Sequence, residues 1–451
     1  MIRLSLQEAA RAVNGSFAGT DGRFVGVSID TRTLRGGELF FALQGPNFDA
    51  HDYLDRALEA GACAVVTQRE TSLPQAIRVA DTRLALGDLA RHWRAAFHRP
   101  LVGITGSNGK TTVKEMTATI FATQGRVHAT QGNFNNAVGV PLTLFGLDPD
   151  QDETAVIEMG ANHPGEIAYL TDLVQPNAAV ITNAGPAHLE GFGDLDGVAR
   201  AKGELFAGMP RAATAVINKD DPRCGVWQAL AAERLQLGFG IENDADIRAR
   251  LRSDDAGRRI ELHTPAGSAE LRLPVPGKHN IYNALAATGL ALAVDTPLDR
   301  IIAGLEAFRP VKGRMQARAT LRGARLFDDT YNANPASLAA GLDVLTTEPG
   351  RHWLALGDMG ELGANAARIH RECGHLARDK GVERLFALGP LAARAAEAFG
   401  DGAEVFEDVN EVIARLRDEL DAEVRLLVKG SRTMRMERVV AGLADAADGG
   451  A

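Results

Sequence analysis

A chain of 451 residues is too long for one ordinary core, and at roughly 150 residues per domain its length suggests about three domains. Hydrophobic residues make up 45% and charged residues 24% of the sequence, which excludes a disordered chain and is typical of a soluble globular protein. The net charge of −9 gives no long-range attraction to nucleic acid or to an anionic membrane, so a phosphate-bearing ligand must be bound by local groups.

The three cysteines, Cys63, Cys224 and Cys373, lie far apart, which argues against a disulfide framework and against a structural zinc site. No apolar run is long enough to cross a bilayer. We therefore expect a cytoplasmic protein without membrane insertion and without a nucleic-acid partner.

Apolar runs alternate with helical stretches along the whole chain. FVGVSI, ELFFAL and HDYLDRALEAGA predict a small α/β domain over residues 1–97. LVGIT, TAVIEMG, AAVITNAG and TAVINKD lack polar alternation, which indicates strands buried on both faces of a mostly parallel sheet in residues 98–311. The pattern restarts with HWLALGD and predicts a second doubly wound unit in residues 312–451.

The stretch VGITGSNGKTTVKEM, residues 102–116, is typical of a phosphate-binding turn between a strand and a helix. The candidate nucleotide-binding residues are Gly106, Ser107, Asn108, Gly109, Lys110, Thr111 and Thr112. Backbone N–H groups there can bind phosphate oxygens, Lys110 can neutralise terminal phosphates, and the Thr111 hydroxyl can bind magnesium. The usual P-loop has a glycine six positions before its lysine, where this chain has Ile104. An ordinary glycine-rich turn is the alternative, which the Lys-Thr-Thr ending disfavours.

Glu158 and His188 are candidate metal ligands near this loop. Glu158 ends the run TAVIEMG at a predicted strand tip, and one carboxylate shared with substrate phosphates is a common magnesium site. His188 follows the next strand and could reach the same cleft. A solvated carboxylate and a structural histidine are the ordinary alternatives.

Lys202 falls on the apolar face of a predicted helix, which Leu195, Val198, Leu205 and Met209 mark by steps of three and four. A lysine that faces inward loses hydration, which lowers its pKa and raises its neutral fraction. A neutral amine can add carbon dioxide and become a carbamate able to bind magnesium. A solvated lysine stem is the alternative.

Polar side chains further along the chain could complete a nucleotide site. Asn280 is a plausible helix N-cap in GKHNIYNALAATGLA, and Asn283 could offer its amide to a purine edge. Asn334 precedes a proline, which predicts a second helix start. Asp329 follows the strand-like ARLFDD, and Arg314 lies at the predicted hinge between the second and third domains. A hinge cation could stabilise a transferring phosphate when the domains close, and a surface salt bridge is the alternative.

These motifs together resemble the Mur ligases of peptidoglycan synthesis. The phosphate loop of that family reads TGxNGKTT, which TGSNGKTT matches and which explains the unusual glycine spacing. Further matches span the chain, among them SIDTRTLRGGELFFAL, GNFNNAVGVPLTL, EMGANHPGEI, DDTYNANPAS, GDMGELG and LVKGSRTMRME. The resemblance implies a three-domain α/β architecture. Residues 1–97 would bind the UDP-sugar substrate, the centre would be a P-loop-type parallel-sheet ATPase domain, and the C-terminal Rossmann-like domain would bind the incoming dipeptide. We expect a monomer.

The resemblance also implies roles for the candidate residues. Lys110 and the loop amides would bind the β- and γ-phosphates of ATP, Asn283 would contact adenine, and Arg314 and Asp329 would orient the nucleotide. Thr111 and Glu158 are the implied ligands of one Mg²⁺, and His188 and a carbamylated Lys202 are the implied ligands of a second. The implied catalytic residues are Lys110, His188, Lys202, Arg314 and Asp329. The implied UDP-sugar contacts are Ser28, Asp30, Thr31 and Arg32.

Within the family, the motifs are most similar to the members that join UDP-N-acetylmuramoyl-tripeptide to D-alanyl-D-alanine. The resemblance implies that the tripeptide carboxylate attacks the γ-phosphate of ATP to form an acyl phosphate, which the dipeptide amine then attacks. Because water must be kept from this intermediate, we expect the third domain to close over the cleft.

Other functions stay open at this point. NKDD, residues 218–221, fits the guanine-reading NKxD pattern of GTPases, and DLDG, residues 194–197, fits their DxxG pattern. DLDG, however, follows no predicted strand and lies unusually close to NKDD. Folylpolyglutamate synthetase shares the ATP chemistry but has no UDP-binding unit like residues 1–97. The Mur ligase that adds meso-diaminopimelate carries a DNPR motif in its third domain, which is absent here. A non-catalytic nucleotide sensor would have no need for two metal positions.

Overall fold

The computed structural model describes residues 1–186, 189–254 and 257–444. A five-stranded sheet in the first 97 residues runs in the order β2-β7-β6-β5-β4, with only β2 antiparallel to its neighbour, and β1 pairs with β3. The elements are β1 (Arg3–Ser5), α1 (Leu6–Ala12), β2 (Ser16–Phe17), β3 (Arg23–Val25), β4 (Val27–Ser28), β5 (Leu39–Phe41), α2 (Leu54–Glu59), β6 (Ala64–Thr67), β7 (Ala76–Arg78) and α3 (Thr82–Arg94).

The middle of the chain forms one nine-stranded sheet. Its elements are β8 (Leu101–Thr105), α4 (Lys110–Ala122), β9 (Val127–Ala129), α5 (Gly139–Phe145), β10 (Thr154–Glu158), α6 (Glu166–Val174), β11 (Ala178–Ile181), α7 (Leu189–Phe192), α8 (Leu195–Gly208), β12 (Thr214–Asn218), α9 (Cys224–Leu230), β13 (Leu235–Gly240), β14 (Ile247–Asp254), β15 (Gly257–Thr264), β16 (Gly267–Leu271), α10 (Lys278–Leu292) and α11 (Leu298–Ala307). The strand order is β16-β15-β14-β13-β12-β11-β8-β10-β9, and β8 to β14 are all parallel.

The end of the chain forms a six-stranded sheet in the order β17-β18-β22-β19-β20-β21, in which only β17 is antiparallel to its neighbour. Its elements are β17 (Gln316–Ala319), β18 (Arg325–Asp329), α12 (Pro335–Leu345), β19 (Arg351–Gly357), α13 (Ala366–Asp379), β20 (Arg384–Leu388), α14 (Ala392–Phe399), β21 (Ala403–Phe406), α15 (Val409–Glu419), β22 (Val424–Lys429) and α16 (Glu437–Leu443). Short 3₁₀ helices occupy Ala50–Tyr53, Gly363–Asn365 and Arg432–Met434.

Burial explains why the central strands form a parallel sheet. Every residue of β8 and β11 is buried, as are all but the first residue of β10 and β12, so these strands pack on both faces. The prediction of a mostly parallel sheet is confirmed, as is the mixed α/β fold class. In the described part of the chain, no helix has both the length and the apolar character needed to span a membrane.

One hydrophobic core joins the first sheet to one face of the central sheet. It contains Phe41 and Leu86 from the first 97 residues together with Ile157 and Leu205 from the central part. α3 packs against α5 and α6, and the indole Nε1 of Trp93 donates to the carbonyl of residue 147 at 3.2 Å. The first sheet is therefore anchored to the central one by apolar packing, and the predicted domain boundaries stay predictions.

The two predicted helix caps have different outcomes. Asn334 caps α12, because its Oδ1 accepts from the N–H of Ser337 at 2.9 Å while the Ser337 hydroxyl accepts from the N–H of Asn334 at 3.0 Å. The prediction for Asn280 is wrong, since α10 begins at Lys278 after Gly277. Gly277 turns the chain with a φ of 97°, which glycine adopts easily, so Asn280 falls inside the first turn.

Candidate active site

The predicted phosphate loop lies between β8 and α4 at the carboxyl edge of the central sheet, and the residues after β11 hold it. The N–H groups of Ser107 and Asn108 donate to the carbonyl and to Oδ1 of Asn183, both at 3.0 Å. The Thr182 hydroxyl donates to the carbonyl of Asn108 at 2.6 Å. The neighbouring strand therefore fixes the loop in place, at the sheet edge where ligands bind in this kind of fold.

Two glycines allow the loop to pass close to its neighbours. Gly106 has a φ of 140°, and a Cβ there would lie 2.0 Å from Oγ1 of Thr182. Gly109 has a φ of 82°, and a Cβ there would lie 2.4 Å from Oδ1 of Asn283. Both backbone conformations and both contacts favour glycine. Asn283 thus packs against the phosphate loop, and its contact with adenine stays a prediction.

Lys110 turns back onto the loop that carries it. Its ammonium donates to the carbonyl of Gly106 at 2.8 Å and to that of Ser107 at 3.4 Å. Burial lowers the pKa of Lys110, while the Glu158 carboxylate opposes that shift and the Arg314 guanidinium adds to it. Several positive groups are therefore concentrated beside the helix start, where a polyphosphate would be stabilised.

Glu158 ends β10 with a carboxylate that is only 2% exposed. Its Oε1 accepts from the Nδ2 of Asn135 at 2.8 Å, and its backbone N–H donates to the Thr130 hydroxyl at 2.9 Å. Among the described residues nothing donates a hydrogen bond to the buried Oε2. This oxygen is free to bind a cation. The contribution of Asn135 was not predicted, because this residue lies in the loop between β9 and α5.

Lys202 faces inward from α8 and is 2% exposed, which confirms the prediction from the helix pattern. Its Nζ donates to the carbonyl of Ala161 at 3.2 Å and lies 5.1 Å from the ring centre of Phe192. Burial and, to a smaller extent, the nearby charge of Lys110 lower the pKa of Lys202 to about 7. A large fraction of this amine is therefore neutral near neutral pH. His188 lies outside the described residues.

Two residues of the third sheet unit contact the phosphate loop. Nη2 of Arg314 donates to Oγ1 of Thr111 at 3.0 Å, and its guanidinium lies 4.2 Å from the ring centre of Tyr331. Nδ2 of Asn334 donates to Oδ1 of Asn108 at 2.7 Å. The helix cap predicted at Asn334 thus has a second role, which its local sequence does not indicate.

Asp329 ends β18 directly beside Lys429 at the end of β22, since the two positions are paired in the parallel register. Their side chains form an ion pair, and the Lys429 ammonium also donates to the carbonyl of Asn332 at 3.0 Å. The N–H of Met315 donates to the Asp329 carboxylate at 3.3 Å. Asp329 therefore lies in the site as the partner of the buried Lys429, and sequence analysis did not predict this ion pair.

A cleft of about 930 Å³ separates the central sheet from the third one. The predicted nucleotide and metal residues that line it are Ser107, Asn108, Gly109, Lys110, Thr111, Thr112, Glu158, Asn283, Arg314 and Asp329. Gly106 and Lys202 are not among the residues that line the cleft. The structure thus brings together the phosphate loop, the buried carboxylate of Glu158, and Arg314 and Asp329 from the third unit.

The predicted UDP-sugar residues Ser28, Asp30, Thr31 and Arg32 lie at the end of β4 and do not line this cleft. The Ser28 hydroxyl donates to the carbonyl of Asp30 at 3.2 Å. The Asp30 carboxylate accepts hydrogen bonds from Nε and Nη2 of Arg32, which lower the pKa of Asp30 to about 2. Hydrogen bonds within the turn therefore hold its shape, and its role in substrate binding stays a prediction.

Three family models match the chain in succession. They are the Mur ligase family catalytic domain at residues 23–94, the Mur ligase middle domain at residues 104–291, and the Mur ligase glutamate ligase domain at residues 313–432. The UDP-N-acetylmuramoyl-tripeptide–D-alanyl-D-alanine ligase of Escherichia coli K12 is 42% identical over 449 residues, which cover 98% of this chain and 99% of that protein. The chain belongs to the Mur ligase family.

Solved structures agree with this assignment. A crystal structure of MurF from Acinetobacter baumannii superposes on this Mur ligase with a TM-score of 0.91 at 32% identity, covering 98% of each chain. MurF from Thermotoga maritima in complex with ADP superposes with a TM-score of 0.85 at 28% identity, covering 93% of this chain and 96% of that one. The three-part architecture expected from the sequence motifs is confirmed.

In this Mur ligase the NKDD segment supports the backbone. The carboxylate of Asp221 accepts from the N–H groups of Ala184 and Arg223, both at 2.8 Å. The carboxylate of Asp220 accepts three N–H groups from residues 241–243 and the hydroxyl of Tyr282 at 2.8 Å. These hydrogen bonds account for the two aspartates without guanine recognition.

Proposed function

We propose that this Mur ligase uses ATP to join UDP-N-acetylmuramoyl-tripeptide to D-alanyl-D-alanine, as a step in making cell-wall precursors. The observation that carries this function is similarity over nearly the whole chain to the E. coli ligase named for those two substrates. The neighbouring MurF structure with ADP supports ATP as the nucleotide. The cleft supplies the phosphate loop and the positive charge that this chemistry requires.

The tripeptide carboxylate must be activated, because a carboxylate is a poor electrophile. One of its oxygens attacks the γ-phosphorus of ATP, the bond from that phosphorus to the β,γ-bridging oxygen breaks, and ADP leaves an acyl phosphate behind. The unprotonated amine of the dipeptide then attacks the acyl carbon, the carbon–oxygen bond to phosphate breaks, and the amine loses a proton. Lys110 and Arg314 would offset the repulsion between the reacting anions.

Magnesium fits the donor set on the central side of the cleft. Oε2 of Glu158 is a buried oxygen that no described residue hydrogen-bonds, and a carboxylate plus substrate phosphates is a common magnesium environment. The Thr111 hydroxyl lines the same cleft. We propose Glu158 and Thr111 as ligands, with His188 as a further one. Bound magnesium would neutralise phosphate charge.

We also propose that Lys202 is carbamylated, because a buried amine with a pKa of about 7 has a substantial neutral fraction near neutral pH. Its nitrogen would attack carbon dioxide and lose a proton, which converts a cation into a carboxylate. Intact mass analysis in bicarbonate buffer should show one added carboxyl group in the wild type and none in Lys202→Met. An unmodified wild-type chain under these conditions would contradict the proposal.

The remaining assignments complete this proposal. Ser28, Asp30, Thr31 and Arg32 would contact the UDP-sugar, and Asn283 would contact adenine. The enzyme would act in the cytoplasm, where ATP is available, as a monomer without a nucleic-acid partner. Sedimentation velocity with and without both substrates checks the oligomeric state.

A phosphate-release assay with ATP and magnesium tests the function directly. Release should require both UDP-N-acetylmuramoyl-tripeptide and D-alanyl-D-alanine, and mass spectrometry should find the joined pentapeptide product. Omitting either substrate should reduce release to background. Release that ignores both substrates, or that prefers GTP to ATP, would refute the proposed ligase.

A further inference from the structure

A second cavity, of about 530 Å³, lies outside the cleft that contains the phosphate loop. The two cavities share the segment that ends β12. Asn218 and Asp220 line the cleft, whereas Lys219 between them lines the second cavity. A volume of this size is typical of pockets that bind small molecules, and the ligase reaction proposed above makes no use of it.

Sheet register places two cations of this cavity on the same face of the central sheet. Asn218 is paired with Phe239, and Gly240 is paired with Arg248, so Lys219 and Arg248 fall in one row across β12, β13 and β14. Neighbouring strands are about 4.8 Å apart, which puts the two backbones about 10 Å apart. Two long side chains at this separation can both reach a ligand that lies between them.

The intervening strand β13 leaves the space between these cations open. Gly238 lines the cavity, and a Cβ there would lie 2.9 Å from Cγ of Lys219. A larger residue would therefore displace the lysine stem. Gly240, two positions on and so on the same face, has no side chain either. β13 thus offers only backbone between Lys219 and Arg248.

Both cations are available to an anion. No residue that the structure describes forms an ion pair with the Lys219 ammonium. Arg248 forms an ion pair with Asp244 at 2.8 Å, but both side chains are exposed, so the pair contributes little and a ligand can compete for the guanidinium. An arginine and a lysine together favour a phosphate group.

The other polar groups of the cavity favour hydroxyl groups. Gln236 donates through Nε2 to the carbonyl of Gln228 at 3.1 Å, which leaves its Oε1 as an acceptor. One oxygen of the Asp246 carboxylate accepts from the N–H of Gly238 at 2.7 Å, and the carboxylate can accept further hydrogen bonds. Since a bare phosphate ion would leave most of the volume unfilled, a phosphorylated polyol fits this set of groups better.

The loop after β13 connects the second cavity to the cleft. The Asp220 carboxylate accepts hydrogen bonds from the N–H groups of residues 241–243. Nδ2 of Asn243 donates to the carbonyl of Lys219 at 3.0 Å, and residues 244–246 then line the second cavity. A ligand that restrains this loop would therefore also restrain Asp220 in the cleft.

We propose that the second cavity binds a phosphorylated polyol, such as a sugar phosphate, as an effector of nucleotide binding. Lys219 and Arg248 bind the phosphate, and Gln236 and Asp246 accept hydroxyl groups. By linkage, this ligand and the nucleotide change each other's affinity by the same factor. The site takes no part in the ligase reaction, so its occupancy can be measured whether or not that function holds.

Isothermal titration calorimetry with glucose-6-phosphate as the probe tests the site. Saturating ADP and magnesium are added first, so that the probe cannot bind the phosphate loop. The wild type should bind the probe more tightly than either glucose or inorganic phosphate. Lys219→Met and Arg248→Gln should each weaken binding roughly 10-fold or more, because each removes a charge-assisted contact. No binding to the wild type at millimolar probe, or unchanged binding in both variants, would overturn the site.

Arg250→Gln is the matched control for Arg248→Gln. Arg250 is an exposed arginine two residues further along β14, on the same face, and it does not line the cavity. This variant should bind the probe like the wild type, and thermal melts should show that all three variants fold. Equal weakening in Arg250→Gln would point to surface charge alone and contradict the site.

The affinity for ADP, measured with and without saturating glucose-6-phosphate, tests the effector role. The wild type should show a change of about 5-fold or more, and Lys219→Met and Arg248→Gln should show none. A change that persists in both variants would mean that the probe competes at the phosphate loop, and the effector role would be wrong. Failure of the ligase function would appear separately, in the phosphate-release assay.

Discussion

Lys202 places an amine where water cannot solvate its charge. The ammonium has a backbone carbonyl and the face of an aromatic ring as neighbours, and its pKa falls to about 7 because of burial. An exposed lysine has a pKa of about 10.4, so folding costs free energy whenever this side chain is charged. A structural lysine would rarely be placed there, which is consistent with a carbamate at this position.

Replacing Lys202 should change how stability depends on pH. Between pH values of about 7 and 10 the unfolded chain holds a proton on Lys202 that the folded chain lacks, so stability rises with pH across this window. In bicarbonate-free buffer, Lys202→Met should flatten that rise by up to about 1.4 kcal/mol per pH unit. Urea unfolding of both proteins at several pH values measures this dependence of the unfolding free energy on pH.

The control for this experiment is Lys312→Met, which removes an exposed lysine. Its unfolding free energy should follow the pH dependence of the wild type. Parallel curves for the wild type and Lys202→Met would show that Lys202 titrates alike in the folded and unfolded chains, against the proposed effect of burial.

At the scale of elements, the strand, loop and helix from β8 to α4 form the part of the site that local sequence specifies best. The helix predicted after the loop begins at Lys110, and its apolar face is buried at Val113, Met116, Ile120 and Phe121. Two glycines let the loop pass close to β11 and α10. The loop shape therefore depends on backbone freedom as much as on its charged groups.

Gly109→Ala should damage nucleotide binding. The added methyl group would lie 2.4 Å from Asn283, and the φ of 82° disfavours alanine, so we expect ATP affinity to fall at least about 10-fold with a stability loss of roughly 1–3 kcal/mol. Isothermal titration calorimetry and thermal unfolding measure the two effects. Gly225→Ala in α9 is the control, since nothing lies within 4 Å of a Cβ there. Equal ATP affinity and equal thermal stability of Gly109→Ala and Gly225→Ala would contradict the proposed need for glycine at position 109.

At the scale of the whole molecule, the three sheets are joined in different ways. A single apolar core joins the first sheet to the central sheet. The third sheet is packed on both faces by clusters that lie wholly within residues 315–443. At the phosphate loop, the third unit is held by the polar contacts of Arg314 and Asn334. Polar contacts exchange with water at little cost, so this arrangement suits a third unit that moves, and closure during catalysis stays a prediction.

Isolated fragments of the first and third units should differ in stability, because only the third unit contains complete hydrophobic cores. A chain of residues 312–451 should fold alone and unfold in one cooperative thermal transition, because its cores are complete. A chain of residues 1–97 should aggregate or unfold at a much lower temperature, because it would expose Leu86 and the rest of the shared core. Circular dichroism melts of both fragments measure this. A stable, monomeric fragment 1–97 would argue against the shared core as the anchor.

The sequence by itself determined the elements and the chemistry that lie close together along the chain. The strand and helix patterns, the phosphate loop, the buried face with Lys202 and the cap at Asn334 depend on neighbours within one or two turns, where side-chain period and backbone freedom decide the outcome. Only the tertiary structure decided which distant groups meet. Asn135 reaches Glu158, Arg314 reaches Thr111 and Lys429 pairs with Asp329 because sheet register and packing bring them together. Such contacts leave no periodic signal in the sequence, since their partners lie on different elements.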